Sequence, residues 1–163
     1  MRLPSWLKVS IPSGKVFNKV SNTLSEGNLN TVCVEAKCPN RAECFSNGTA
    51  TFLILGDKCT RDCLYCNIAS DTPDEPDPNE PAKIARAVKA LKLNYVVITS
   101  VTRDDLKDQG SGHFIDTIKE IRNLNTKCKI EILTPDFNGD YGLINQVLSE
   151  KPFVFNHNIE VVK

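Results

Sequence analysis

Seven cysteines lie in this chain of 163 residues, and six of them form two tight triads. Cys33, Cys38 and Cys44 make a C-x4-C-x5-C pattern; Cys59, Cys63 and Cys66 make C-x3-C-x2-C. Three thiolates can hold three irons of a four-iron cluster and leave the fourth open to a substrate, a cofactor or a distant ligand. Zinc competes for the same residue type. A structural zinc takes four ligands, usually as two separated Cys-x2-Cys pairs, and only Cys63 and Cys66 make such a pair. The ferredoxin spacings are absent too. Inert or redox-active thiols are the third alternative. Disulfides are disfavoured by the odd count and by the expectation of a reducing compartment.

The elements that must position these cysteines are readable from periodicity. Residues 13–26 predict a helix with Val16, Val20 and Leu24 at four-residue spacing and Gly27 as its C-terminal cap. Residues 31–48 carry the first triad on short helical or turn segments, broken at Pro39-Asn40 and closed by Asn47-Gly48. Thr51 to Leu55 is an apolar run of strand length, ended by Gly56-Asp57, and the second triad follows at once. Residues 70–81 hold four prolines and five acidic residues, which predicts a solvated connection.

A strand–helix rhythm then sets in. Residues 81–92, 112–124 and 140–149 predict helices, with Ser111 and Asp140 as caps of the second and third. Tyr95–Thr99, Cys128–Leu133 and Phe153–Phe155 predict strands. Their lack of alternation suggests burial on both faces. The alternation predicts a parallel α/β sheet, either open and doubly wound or part of a βα barrel. In both, chemistry gathers at the C-terminal ends of strands. There the chain carries the second triad, Thr99-Ser100 and Asn156-His157-Asn158. No dinucleotide or P-loop glycine fingerprint is present.

Composition is that of an ordinary globular chain, 40% hydrophobic and 25% charged. The formal net charge is zero, with 20 basic and 20 acidic residues, so bulk electrostatics points to neither nucleic acid nor a membrane surface. No apolar run approaches the roughly 18 residues of a membrane span. The segment from Met1 lacks the apolar core of a signal peptide, and the expected location is cytoplasmic.

The second triad, with Tyr65 just before its last cysteine and a strand ending in Gly56-Asp57 before it, resembles the radical S-adenosylmethionine superfamily. The stretches Thr31-Val-Cys-Val-Glu-Ala-Lys-Cys-Pro-Asn-Arg-Ala-Glu-Cys44 and Gly48-Thr-Ala-Thr-Phe-Leu-Ile-Leu-Gly-Asp-Lys-Cys-Thr-Arg-Asp-Cys63 narrow the resemblance to the lipoyl synthase family. So do Pro4-Ser-Trp-Leu-Lys8, Val97-Ile-Thr-Ser-Val101, Arg103-Asp-Asp-Leu106, Gly112-His-Phe114, Pro135-Asp-Phe137 and Asn156-His-Asn-Ile-Glu160.

That resemblance implies a TIM-like partial (β/α) barrel of the radical SAM type. Residues 1–48 would be a cysteine-rich N-terminal extension and residues 49–163 an incomplete barrel, with about four of six βα units. It implies two 4Fe-4S clusters. Cys59, Cys63 and Cys66 would hold the one that cleaves S-adenosylmethionine. Cys33, Cys38 and Cys44 would hold an auxiliary cluster that donates sulfur. The implied enzyme is a sulfurtransferase acting on C6 and C8 of an octanoyl group on a lipoyl carrier domain or H protein. An electron donor such as flavodoxin or ferredoxin would serve it. Unactivated C–H bonds offer an acid or base no foothold, which is why a radical is needed.

Among other polar residues, Thr99 and Ser100 are expected to help seat S-adenosylmethionine; the alternative is that they cap a strand end. Tyr65, Asn156 and Asn158 are further candidates for cofactor contact. Arg103, Asp104 and Asp105 are expected to form a solvated loop rather than a positioned ion cluster. His113 and His157 are expected to be packed and hydrogen-bonded, Cys128 a small buried hydrophobe, and Trp6 an anchor of the N-terminal arm.

The chain departs from the family pattern by stopping after the fourth predicted strand, without the Arg-Ser-Ser-type tail whose serine ligates the auxiliary cluster. A truncated frame, a fragment, or half of a split enzyme completed by a second chain are the expected explanations. A non-catalytic iron–sulfur or metal-binding remnant is the alternative to an enzyme. A different sulfur-inserting radical enzyme is a third possibility. The last strand would leave an apolar edge unpaired.

Overall fold

Four parallel strands carry the site. A computed structural model describes residues 14–157. The N-terminal part comprises α1 (Lys15–Gly27), a two-residue strand β1 (Asn30–Thr31), α2 (Val32–Glu35) and α3 (Arg41–Ser46). Then come β2 (Thr51–Ile54), the short pair β3 (Lys58–Cys59) and β4 (Ala69–Ser70), and α4 (Glu80–Leu91). The chain continues through β5 (Tyr95–Ser100), α5 (Ser111–Leu124), β6 (Lys129–Thr134), a 3-10 turn (Phe137–Gly139), α6 (Tyr141–Ser149) and β7 (Val154–His157).

The main sheet runs β1-β2-β5-β6-β7, with β1 antiparallel and every later pairing parallel. A doubly wound sheet reverses its strand order at a switch point. This one advances in a single direction, which is the order of a βα barrel and decides between the two expected architectures. Among the described residues β7 bonds β6 alone.

Burial alternates along β6, contrary to the expectation of a strand covered on both faces, whereas β2 is buried continuously from Phe52 to Ile54. Phe52, Ile54, Val96, Ile98, Ile130 and Ile132 are buried in one core with Ile84 and Val88 of α4, Phe114, Ile118 and Ile121 of α5, and Val147 of α6. Each such side chain contributes about 1.5–3 kcal/mol. On the opposite face the register aligns Leu53, Thr99, Leu133 and Asn156 in one row near the strand ends. Thr51, Val97, Glu131, Leu133 and Val154 on that face are only half-buried.

Several boundaries differ from expectation for identifiable reasons. Helix α1 continues through Gly27, and Asn28 takes the left-handed cap. Leu29 N–H reaches Leu24 O and Asn28 N–H reaches Ser25 O, the paired bonds of a Schellman motif. Ser111 is the first residue of α5 rather than its side-chain cap; Gly110 precedes it, and the Ser111 hydroxyl is buried without a partner. Asp140 does cap α6, accepting the N–H groups of Gly142 and Leu143. Strand β2 stops at Ile54 because Leu55 turns out of the ladder at φ 70°. Asn156 and His157 lie within β7, not beyond it. Pro4–Lys8, Trp6 and Asn158 lie outside the described residues. Among the described residues no helix is long and apolar enough to cross a membrane.

Candidate functional site

The second triad occupies the loop that leaves β2, and a specific set of bonds fixes that loop over the sheet. Its base is closed by the parallel pair β3–β4, where Cys59 aligns with Ser70. Its first half is stitched to the loop after β5. Thr60 N–H and Thr60 Oγ1 both donate to Thr102 O, at 3.1 and 3.0 Å, and Asp104 N–H donates to Thr60 Oγ1 at 3.2 Å. Cys66 N–H donates to Cys63 O at 2.9 Å, folding the tip into a turn.

Arg61 supplies the strongest tie. Its Nε and Nη2 donate to the two carboxylate oxygens of Asp104 at 2.7 and 2.8 Å. Nη2 also reaches Asp136 at 2.9 Å and Asn138 Oδ1 at 2.8 Å. Bidentate, charge-assisted bonds of this kind are about twice as strong as neutral ones. The Arg61 hydrogen bonds hold Asp104 and Asp136 below the ordinary carboxylate range, while those carboxylates push Arg61 further above its own. The loop expected to be solvated is therefore a positioned ion cluster. Arg103 corrects the same expectation: it is 2% exposed, paired with Asp105 at 2.8 Å and donating to Leu55 O at 3.2 Å. Its bond holds Asp105 below the usual range.

A cleft of about 560 Å³ opens at the C-terminal ends of β2, β5 and β6. Cys59, Cys63, Cys66, Tyr65, Thr99 and Ser100 all line it. Apolar wall is provided by Leu53, Val101 and Leu133, and charge at one side by Arg61 and Asp136. His157 also lines it, its Nδ1 3.0 Å from Thr134 O, hydrogen-bonded as expected but exposed rather than packed. Asn156 turns aside instead: its amide donates to Glu131 Oε1 at 2.7 Å, and Glu131 also accepts from the Tyr95 hydroxyl.

Two neighbouring hydroxyls have opposite situations. Thr99 Oγ1 donates to Leu133 O at 2.9 Å, so it is engaged in bridging strands. Ser100 also lines the cleft, but it aligns with core-facing Ile54, and its Oγ is buried without a partner. A buried hydroxyl left unpaired costs about 1–3 kcal/mol.

The first triad is gathered separately. Thr31 Oγ1 accepts Val34 N–H and starts α2, which buries Cys33. Phe45 anchors α3, and with it Cys44, in a tilted contact with Phe17 at 5.5 Å. Burial pushes the Cys44 thiol up, and Cys33, Cys38 and then Glu43 push it further. None of the three lines the cleft, but Val32 and Ala36, beside α2, do. Cys128 is half-buried rather than fully buried, its thiol directed at Lys129 O, and burial pushes its pKa up.

The donor set fits iron–sulfur ligation on one direct observation. Cys59 Sγ accepts the backbone N–H groups of Arg61 at 3.4 Å and Thr102 at 3.3 Å. Such N–H···S bonds are among the features that set cluster potentials. Among the described residues no three His, Cys, Asp or Glu side chains are grouped to hold a single metal ion. The ligands of a four-iron cluster bind different irons and do not converge on one point.

Thr60, Arg61, Thr102 and Asp136 were not singled out by sequence reasoning. The one available signal was a basic residue between two ligand cysteines with acidic residues after the next strand.

Residues 1–38 match the N-terminal domain of lipoyl synthase of the Radical SAM family. Residues 53–163 match the Radical SAM superfamily. A lipoyl synthase of Caldicellulosiruptor saccharolyticus is 53% identical over 159 residues, 98% of this chain and 56% of the relative. Lipoyl synthases of Wigglesworthia glossinidia brevipalpis and a Shewanella species are 49% and 52% identical over 99% and 98% of this chain, and 52% and 50% of their own lengths. The chain thus spans about half the length of these curated relatives.

Proposed function

Since this chain belongs to the radical SAM superfamily and is similar to lipoyl synthases along nearly all of its length, we propose that it works in radical sulfur insertion at C6 and C8 of a protein-bound octanoyl group. The observation that carries this is the convergence of Cys59, Cys63, Cys66, Thr99 and Ser100 on one cleft. When bound, a four-iron cluster with S-adenosylmethionine at its open iron supplies one-electron cleavage of the sulfonium and a carbon radical.

This chain's own residues bind, orient and exclude water. Cys59, Cys63 and Cys66 would hold that cluster, and the N–H groups of Arg61 and Thr102 donate to Cys59 Sγ. Ser100 would accept from or donate to the cofactor's polar end. Tyr65 would border it from the loop. Leu53, Val101 and Leu133 give the apolar wall that keeps bulk water from a reactive carbon centre. Thr99 would act indirectly, by holding β5 to β6, and Asn156 through Glu131. Asn158 remains a candidate for cofactor contact. Cys33, Cys38 and Cys44 would hold the auxiliary, sulfur-donating cluster on residues 1–48. The partners in this proposal are an octanoylated lipoyl domain or H protein and a small electron-transfer protein, in the cytoplasm.

Anaerobic reconstitution with iron and sulfide tests it. About eight irons per chain are expected, falling to about four when either triad is replaced by alanine. With an octanoyl-lysine peptide, S-adenosylmethionine and a reductant, the expected product of this chain alone is 5′-deoxyadenosine without sulfur-bearing peptide. A single tetrahedral zinc and no labile sulfide would sink the proposal.

A further inference from the structure

We infer that Glu80 is a positioning residue for the cysteine loop, clamping with Arg103 the two peptide groups of Leu55 from which that loop departs. Its functional consequence rests on Cys59, Cys63 and Cys66 being cluster ligands; the clamp itself does not.

Leu55 stands where the β2 ladder ends. Its φ of 70° turns it away from the sheet, in a region that side chains other than glycine rarely adopt. Its N–H and C=O consequently leave the reach of β5, yet Leu55 is only 2% exposed. Buried peptide groups require partners, and here both come from charged side chains distant in sequence. Glu80 Oε2, in the first turn of α4, accepts Leu55 N–H at 2.9 Å. Arg103 Nη1 donates to Leu55 O at 3.2 Å.

Each clamp residue is itself held. His113 Nε2 lies 2.6 Å from the same Glu80 oxygen, bringing in α5. Asp105 grips Arg103 through Nε and Nη2. Glu80 is 7% and Arg103 2% exposed. Burying ionised groups is costly unless each is paired and hydrogen-bonded. In this network every named charge has a partner, and the shared object of the bonds is the Leu55 backbone. The Leu55 side chain is trapped too, because a Cβ built on Gly110 would lie 2.3 Å from Leu55 Cδ1. Helix α4, the start of α5 and the loop after β5 thus converge on the residue four positions before Cys59. A rotation at Leu55 would swing the whole loop, so the clamp sets where the cysteines stand over the cleft.

Peptide-resolved hydrogen exchange on the full metal-free chain tests this, comparing wild type with Glu80→Ala, Glu80→Gln and Glu80→Asp. Glu80→Ala is expected to accelerate exchange across residues 56–66 by about tenfold while β6 amides stay within about twofold. Glu80→Gln, whose amide oxygen still accepts Leu55 N–H, is expected to restore near-wild-type exchange. Glu80→Asp keeps the charge but withdraws the acceptor by one methylene, and is expected to behave like alanine. It serves if Glu80→Ala does not fold. After reconstitution, Glu80→Ala is expected to lose half or more of the iron at the second triad, with iron at the first triad unchanged. Uniform acceleration of loop and β6 alike, an unchanged loop, or a glutamine variant as loose as alanine would overturn the inference. Loop-confined acceleration in a chain whose wild type takes no iron at Cys59, Cys63 and Cys66 would overturn the proposed function and leave the clamp standing.

Discussion

Arg61 closes on Asp104 with both arms of its guanidinium, across 43 positions of sequence. Because Arg61 sits between Cys59 and Cys63, this contact and the one to Asp136 tie the cysteine loop to the ends of β5 and β6. The loop is therefore built against the sheet before any ligand arrives.

Replacing Arg61 with alanine should lower stability by about 1–3 kcal/mol, the usual cost of losing hydrogen bonds to charged partners. Arg61→Lys should recover only part, because an ammonium cannot make the bidentate pair. Chemical denaturation of the metal-free chain reads both. Equal stabilities for arginine and alanine would show that the tie is idle.

Acid should weaken the same tie. Asp104 and Asp136 are held below the ordinary carboxylate range by Arg61, and Asp105 by Arg103. A depressed carboxylate contributes stability that is fully present above its unfolded pKa, and that is lost as pH falls through the lower folded value. Denaturation midpoints should thus drop between about pH 4 and about pH 2, below the unfolded Asp value of about 3.9. In Asp104→Asn with Asp136→Asn the drop should be shallower, from a lower starting stability.

Ser100→Ala should move stability and ligand affinity in opposite directions. Removing a buried hydroxyl with no partner should leave stability equal or raise it by up to about 1 kcal/mol. Affinity of the reconstituted chain for S-adenosylmethionine should fall by about three- to tenfold, the value of one hydrogen bond. Calorimetric titration beside thermal melts gives both signs. A stability loss with unchanged affinity would assign Ser100 to the scaffold.

Gly110→Ala should cost about 1–3 kcal/mol for overpacking, with added strain because Gly110 holds φ 84° and faces Leu55 Cδ1. Ser111→Ala next to it should be neutral or stabilising, since that hydroxyl is also buried without a partner. Melting curves of the two variants should diverge in sign. A tolerated Gly110→Ala would mean that Leu55 can move.

Much of the scaffold was legible because its signals are local. Val20 and Leu24 announced α1, Asp140 announced its cap, and the run from Thr51 announced β2. Errors fell where a choice depended on what lay opposite. Leu55 reads as strand by hydrophobicity, but buried partners at Glu80 and Arg103 let it adopt a left-handed turn. Ser111 has a capping residue's chemistry, but the chain enters α5 through Gly110 and leaves that hydroxyl in the core.

Within the candidate site, the sequence by itself determined the cysteine spacings, the strand–helix rhythm and the superfamily, all properties carried by short stretches of chain. Tertiary structure alone decided which polar groups meet. That the Thr99 hydroxyl is engaged by Leu133 O follows from the register of β5 on β6. Whether Arg61 is solvated or clamped follows from loops up to 77 residues away arriving at the same strand ends. The physical reason is range. Backbone periodicity repeats within a few residues, whereas a hydrogen bond needs two groups within about 3 Å, and only the packed sheet brings distant residues that close.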